Sequence, residues 1–129
     1  MRVKGRVVSG KGEGAFFVGL DWVMKQCDEK LGFKPYPGTL NLKVAEEDVL
    51  VVKMLAQRAG LALLPPSAQF CQAICLKVVI GDIRGAVILP QVEDYYRDTL
   101  EVITAERLKV KDGDEVVMTI NEEELPKFG

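Results

Sequence analysis

The chain contains no histidine. That absence excludes Ser/His and Cys/His nucleophilic catalysis, the usual histidine-bearing metal sites and a phosphohistidine intermediate. Any chemistry must therefore run on carboxylates, hydroxyls, amides, cations and backbone N–H groups. Cysteine is scarce too: Cys27, Cys71 and Cys75 are an odd set with no CxxC spacing, which argues for reduced packing thiols over a disulfide framework or a zinc site. Positive charge is not in excess. With 17 Lys and Arg against 19 Asp and Glu, and a pI near 5.2, no global basic field points to nucleic acid or an anionic membrane. No apolar run is long enough to span a bilayer, and residues 1–10, with Arg2, Lys4 and Arg6 interleaved among valines, lack the apolar centre of a signal peptide. The expected location is the cytoplasm, with neither nucleic acid nor membrane as partner.

What is there fits one domain: 129 residues, 48% hydrophobic and 28% charged, are enough for a single core. Residues 2–9 alternate with a β-branched content that predicts a strand. Asp21 reads as an N-cap, Val23, Met24, Cys27 and Leu31 recur at helical spacing, and Gly32 closes that helix. A second strand runs from Thr39 to Val44. A second helical pattern follows over residues 46–59, its first turn acidic as the helix dipole favours, and Gly60 ends it. Pro65-Pro66 makes a loop. Residues 70–80 and 83–89 predict a hairpin around Gly81-Asp82, with Pro90 stopping its second arm. Strands are expected at 99–104 and 115–120, with a helical turn over Ala105–Lys109, a turn at Asp112-Gly113-Asp114 and a fraying tail over 121–129. About six strands with two helical inserts predict a mainly β protein, a small closed barrel that removes exposed strand edges.

Three stretches carry oxygen- or nitrogen-rich chemistry. In Pro37-Gly38-Thr39-Leu40-Asn41, period-two alternation turns Thr39 and Asn41 to one face and Leu40 to the core. A hydroxyl and an amide carbonyl are hard donors suited to a Mg²⁺ that keeps most of its shell as water and substrate phosphate. Taken alone, the same residues favour a plainer reading, a turn and an ordinary half-wet strand. In Gly10-Lys11-Gly12-Glu13-Gly14, alternating glycines let backbone N–H groups turn inward around phosphates, although the spacing matches neither a Walker loop nor GxGxxG and also suits a hairpin loop. Glu101 is the one charged residue inside an otherwise apolar strand, a candidate base or a surface position.

Five motifs then occur in one order: Val7-Val8-Ser9-Gly10-x-Gly12-Glu13-Gly14, Leu31-Gly32-Phe33-x-Pro35-x-x-Gly38-Thr39-Leu40-Asn41-Leu42, Ile80-Gly81 with Gly85-Ala86-Val87-Ile88-x-Pro90, Leu100-Glu101-Val102-Ile103, and Lys111-Asp112-Gly113-Asp114. This series resembles the archaeal-type CTP-dependent riboflavin kinases along nearly the whole chain. The resemblance implies a single six-stranded cradle-loop β-barrel, a flavoprotein that transfers the γ-phosphate of CTP to the 5′-hydroxyl of riboflavin, giving FMN and CDP. It implies nucleotide contacts from Gly10, Lys11, Gly12, Glu13, Gly14, Ala15 and Phe16 and from Glu106, Arg107, Leu108 and Lys109. It also implies Mg²⁺ on Thr39 and Asn41, and flavin contacts from Glu101, the catalytic candidate, and Glu93, which stands where relatives carry a hydroxyl residue. A competing expectation is a non-catalytic small barrel that binds flavin or DNA.

Overall fold

A computed structural model describes residues 1–9, 19–67, 72–91 and 98–120. Seven strands and two helices follow in the order β1 (Arg2–Val8), α1 (Asp21–Leu31), β2 (Leu40–Lys43), α2 (Glu46–Ala59), β3 (Leu61–Leu63), β4 (Ala73–Ile80), β5 (Ile83–Pro90), β6 (Thr99–Thr104) and β7 (Glu115–Thr119). All pairings are antiparallel. The sheet order β3-β4-β5-β6-β2-β1-β7 is closed by a β4–β7 pairing, so six strands form a barrel and β3 extends it beside β4.

Alternation along each strand builds two cores. Val3, Val7, Leu42, Val44, Leu76, Val78, Val87, Leu89, Leu100, Val102, Val116 and Met118 point into the barrel, and α2 adds Val49, Val52 and Ala56 to them. Opposite side chains form a second cluster outside the wall. There Cys75, Ala86, Ile88 and Ile103 pack under Val23, Cys27 and Leu31 of α1, with Phe33 and Leu63. Burial of two apolar layers around one thin wall is what a short chain gains from closing its sheet.

Three sequence expectations are corrected. Asp21 is the first helical residue and not the cap; Leu20 holds that position and no side chain caps the helix, so the carboxylate acts on the dipole alone. The expected six-stranded barrel is present, and β3 adds a seventh strand among the described residues, starting directly after Gly60 and spanning only three residues. Its outer edge is satisfied by side chains of α1: Gln26 Nε2 donates to the Leu64 carbonyl at 2.7 Å, Leu64 N donates to Gln26 Oε1 at 2.8 Å, and Lys30 Nζ donates to the Ala62 carbonyl at 2.6 Å. Residues 105–109 form bends and irregular chain, not a helical turn. Pro90 does not stop β5 short but is its last residue, paired with Ala73.

Candidate active site

Gly38 adopts φ 114°, a conformation open to glycine and strained for other residues, and delivers the chain into β2. From there register decides what meets what. Val8 pairs with Asn41, Asn41 with Glu101, and Glu101 with Ile88, so one residue from each of four neighbouring strands forms a row across the sheet. Directly paired residues face the same side. Because Leu42, Leu100, Val102 and Val87 fill the barrel, this row lies on the outside.

The row grades from wet to dry. Val8, Asn41 and Glu101 are half-buried, whereas Ile88 is sealed beneath α1. Glu101 thus stands at the margin of the helix's footprint, with Asn41 on one side and buried Ile88 on the other. Cβ atoms of directly opposed residues in such a ladder are about 4.5–5.5 Å apart, which makes the Asn41 and Glu101 side chains neighbours on this face. Thr39, also half-buried, precedes Asn41 by two residues.

The adjoining row on this face carries charge. Arg6 pairs with Lys43 and with Glu115, and Lys43 pairs with Thr99. Lys43 Nζ lies 3.9 Å from Asp98 Oδ2, both side chains about half exposed, a loose pair that holds the ammonium only weakly. Two cations therefore sit one row from Asn41. Sequence reasoning passed over Arg6 and Lys43 as site neighbours; the available signal was the i+2 spacing of Lys43 from Asn41 on a strand.

The segment holding Glu106, Arg107, Leu108 and Lys109 leaves β6 under tight control. Thr104, the one buried polar residue among those described, donates its hydroxyl to the Glu106 carbonyl at 2.7 Å. Ala105 N donates to the Arg84 carbonyl at 2.8 Å and Tyr36 N to the Thr104 carbonyl at 2.7 Å, tying this segment to the loop that leads to Thr39. Glu106, Arg107 and Lys109 are exposed and Leu108 is half-buried. Farther along, Val7 N donates to the Asp114 carbonyl at 2.9 Å, Gly113 N donates to the Val7 carbonyl at 2.8 Å, and Ser9 donates its hydroxyl to the Asp112 carboxylate. The Asp112-Gly113-Asp114 turn thereby clamps the end of β1. Gly10, Lys11, Gly12, Glu13, Gly14, Ala15 and Phe16 follow directly, and they, like Glu93, lie outside the described residues.

No group of three or more His, Cys, Asp or Glu among the described residues could hold a metal. The oxygen donors that register places on this face are the Asn41 carbonyl and the Glu101 carboxylate, and Thr39 lies just ahead of β2. The neutral oxygens of Thr39 and Asn41 are of a kind that fits a hard cation bringing most of its ligands with it.

Fold and site together define a class: a small antiparallel β-barrel with an oxygen-bearing row on the outer wall, beside a covering helix. The chain belongs to the family whose model is titled CTP-dep_RFKase and described as a domain of unknown function, DUF120, which matches residues 7–120. It is similar to a protein of Archaeoglobus fulgidus named riboflavin kinase, 37% identical over 127 residues that cover 93% of this chain and 54% of that protein. Proteins of the same name from Pyrobaculum islandicum and Methanococcoides burtonii are each 35% identical over 128 residues, covering 93% and 92% of this chain and 60% and 56% of theirs. The chain spans somewhat over half the length of these curated relatives. No described helix is long and apolar enough to cross a membrane.

Proposed function

We propose that this protein is a CTP-dependent riboflavin kinase. The observation that carries the reading is the direct pairing of Asn41 with Glu101 on the outer wall, in a chain whose relatives bear the name riboflavin kinase. Phosphoryl transfer passes through a loose transition state with charge spread over oxygens, so it needs positioning and charge neutralisation above all. The 5′-hydroxyl oxygen of riboflavin bonds to the γ-phosphorus, and the bond to the β–γ bridging oxygen breaks with its electron pair leaving on CDP. Glu101 orients the hydroxyl and accepts its proton. Thr39 and Asn41 offer oxygens to Mg²⁺, which when bound neutralises phosphate charge.

The residues around this pair have matching tasks. Gly10–Phe16 takes the phosphates through backbone N–H groups and Lys11. Glu106–Lys109 takes the cytidine, and Arg6 and Lys43 add positive charge beside the transferring group. Because Thr39 and Asn41 carry no charge, they would hold Mg²⁺ only weakly without the nucleotide's phosphates.

The test is FMN formation from riboflavin with Mg²⁺ and each of CTP, ATP, GTP and UTP, read by chromatography. CTP should be the preferred donor. Turnover with none of the four would overturn the kinase reading, and calorimetric binding of riboflavin without any nucleotide binding would replace it with a flavin carrier. Salt-dependent duplex binding would point instead to a DNA-binding barrel.

A further inference from the structure

Residues 33–36 run from α1 toward the strand that carries Asn41, and their burial alternates. Phe33 and Pro35 are buried, whereas Lys34 and Tyr36 are exposed. Tyr36, 44% exposed, is the only aromatic among the six large hydrophobic side chains exposed in the described residues. A single exposed apolar side chain is ordinary on a protein surface. What sets this one apart is how firmly its backbone is held.

Pro35 and Pro37 flank it, and a residue before proline is confined to extended backbone, so little conformational freedom is left to Tyr36. Its N–H donates to the Thr104 carbonyl at 2.7 Å. Upstream, Phe33 anchors the segment in the buried cluster beside α1. Arg84 clasps it there, its guanidinium 5.7 Å from the centre of the Phe33 ring and its Nη1 donating to the Gly32 carbonyl at 3.2 Å. A phenol ring on so constrained a backbone loses little entropy when a flat partner settles on it.

The position of Tyr36 says what that partner is. The β2–β6 ladder ends at Leu40 with Val102, and Tyr36 meets β6 two residues farther on, at Thr104. Thr104 is three residues from Glu101, about 10 Å at the rise of a strand. In the kinase reading, on which this inference rests, Glu101 receives the 5′-hydroxyl of riboflavin, and the ribityl chain separates that hydroxyl from the isoalloxazine ring by a comparable reach. The segment assigned to cytidine begins at Glu106, just past Thr104. Either substrate thus brings a planar heteroaromatic ring to this end of the ladder. We propose that Tyr36 is a stacking platform for the planar heteroaromatic ring of a substrate.

Steady-state rates and equilibrium titrations of the full chain with riboflavin and with CTP test this and tell the two rings apart. Tyr36→Ala should raise KM and Kd for the stacked substrate at least about fivefold, the size that stacking on an aromatic side chain supports, and leave kcat within about twofold. Tyr36→Phe keeps a ring and should recover most of that loss. If the flavin stacks, riboflavin is weakened and CTP is not, and bound riboflavin should fluoresce more brightly in Tyr36→Phe than in the native chain, because a stacked phenol quenches a flavin far more than a phenyl ring does. If cytosine stacks, CTP is weakened and riboflavin is not. Circular dichroism melts verify that these exposed substitutions leave the fold intact. Unchanged affinity for both substrates in Tyr36→Ala, with the native chain active, overturns the platform alone, as does a loss that Tyr36→Phe does not recover. A native chain that binds neither substrate overturns the kinase reading together with it.

Discussion

At the residue scale, the proposed site would depend on neutral oxygens beside a single carboxylate. Glu101 and Asn41 are neighbours only because β2 and β6, 60 positions apart in sequence, share one register. If the kinase reading holds, the two kinds of residue should respond differently. General-base help is worth about 10²-fold or more, but a loose transition state asks little of its nucleophile, so Glu101→Gln should lower kcat by about 10²-fold or somewhat less. The double change Thr39→Ala with Asn41→Ala should cost more and should raise the Mg²⁺ concentration needed for half-maximal rate. A double variant with unaltered Mg²⁺ dependence would remove the metal assignment. Two of the three cysteines behave as the lack of CxxC spacing suggests, and Cys71 lies outside the described residues. Cys27 on α1 and Cys75 on β4 are free and buried in the same cluster. Burial pushes the Cys27 thiol from 9.0 up to about 11 and, with the Cys27 charge adding to it, Cys75 from 9.0 up to about 12. The unfolded chain ionises first as pH rises. Stability from these neutral thiols is complete below pH 9 and is lost as pH climbs through 11 and 12. Denaturation midpoints taken from pH 8 upward should fall less steeply in a Cys27→Ala, Cys75→Ala variant than in the native chain. Equal slopes would show that other groups set the alkaline limit.

At the scale of elements, both helices, the β4–β5 hairpin and β6 were legible because each has its own periodicity and its own stop signal. Gly32, at φ 82°, ends α1 in the left-handed turn that a helix-closing glycine predicts. Gly60 ends α2 for a different reason. Its φ is −71°, open to any residue, but a Cβ there would lie 2.4 Å from the Ala56 carbonyl oxygen and 2.2 Å from Ile74 Cγ2. The helix turns into β3 within one residue, and only a bare backbone passes that corner. Local pattern could not reveal β3 because its three residues show no alternation and its outer edge is completed by Gln26 and Lys30, more than 30 positions earlier. The bends at 105–109 were equally hidden, being set by the Thr104 hydroxyl and the Arg84 carbonyl and not by their own composition. Gly60→Ala should therefore destabilise the fold by about 1–3 kcal/mol through overpacking, although its backbone conformation is open to alanine. Chemical denaturation measures this directly, and an unchanged midpoint would mean that α2 shifts freely away from β4.

Over the whole molecule, the barrel is closed by a sparse seam. β4 and β5 share eight paired residues on each strand, from Ala73 with Pro90 to Ile80 with Ile83, whereas β4 and β7 share Val79 with Thr119 alone among the described residues. One ladder pair gives little net backbone stabilisation. What closes the wall is the interior: Val116, Met118 and Ile120 of the β7 region are buried against Leu76 and Val78 of β4 and the rest of the core. Closure here follows from alternation, since each strand sends every second residue to the same enclosed space, and that is why a barrel could be expected before any pairing was known. Which strand meets which could not, because register depends on partners far away in sequence. The same logic ranks two substitutions at the seam. Met118, fully buried, should cost about 2–5 kcal/mol when cut to alanine, through lost burial and the cavity left behind. Val79, 39% exposed on the outer wall and the residue that makes the ladder pair, should change stability by no more than about 0.5 kcal/mol on replacement by threonine. Equilibrium denaturation of the two variants decides it: a larger loss from Val79→Thr than from Met118→Ala would mean that packing on the outer wall at the seam, not the filled interior, holds the barrel shut.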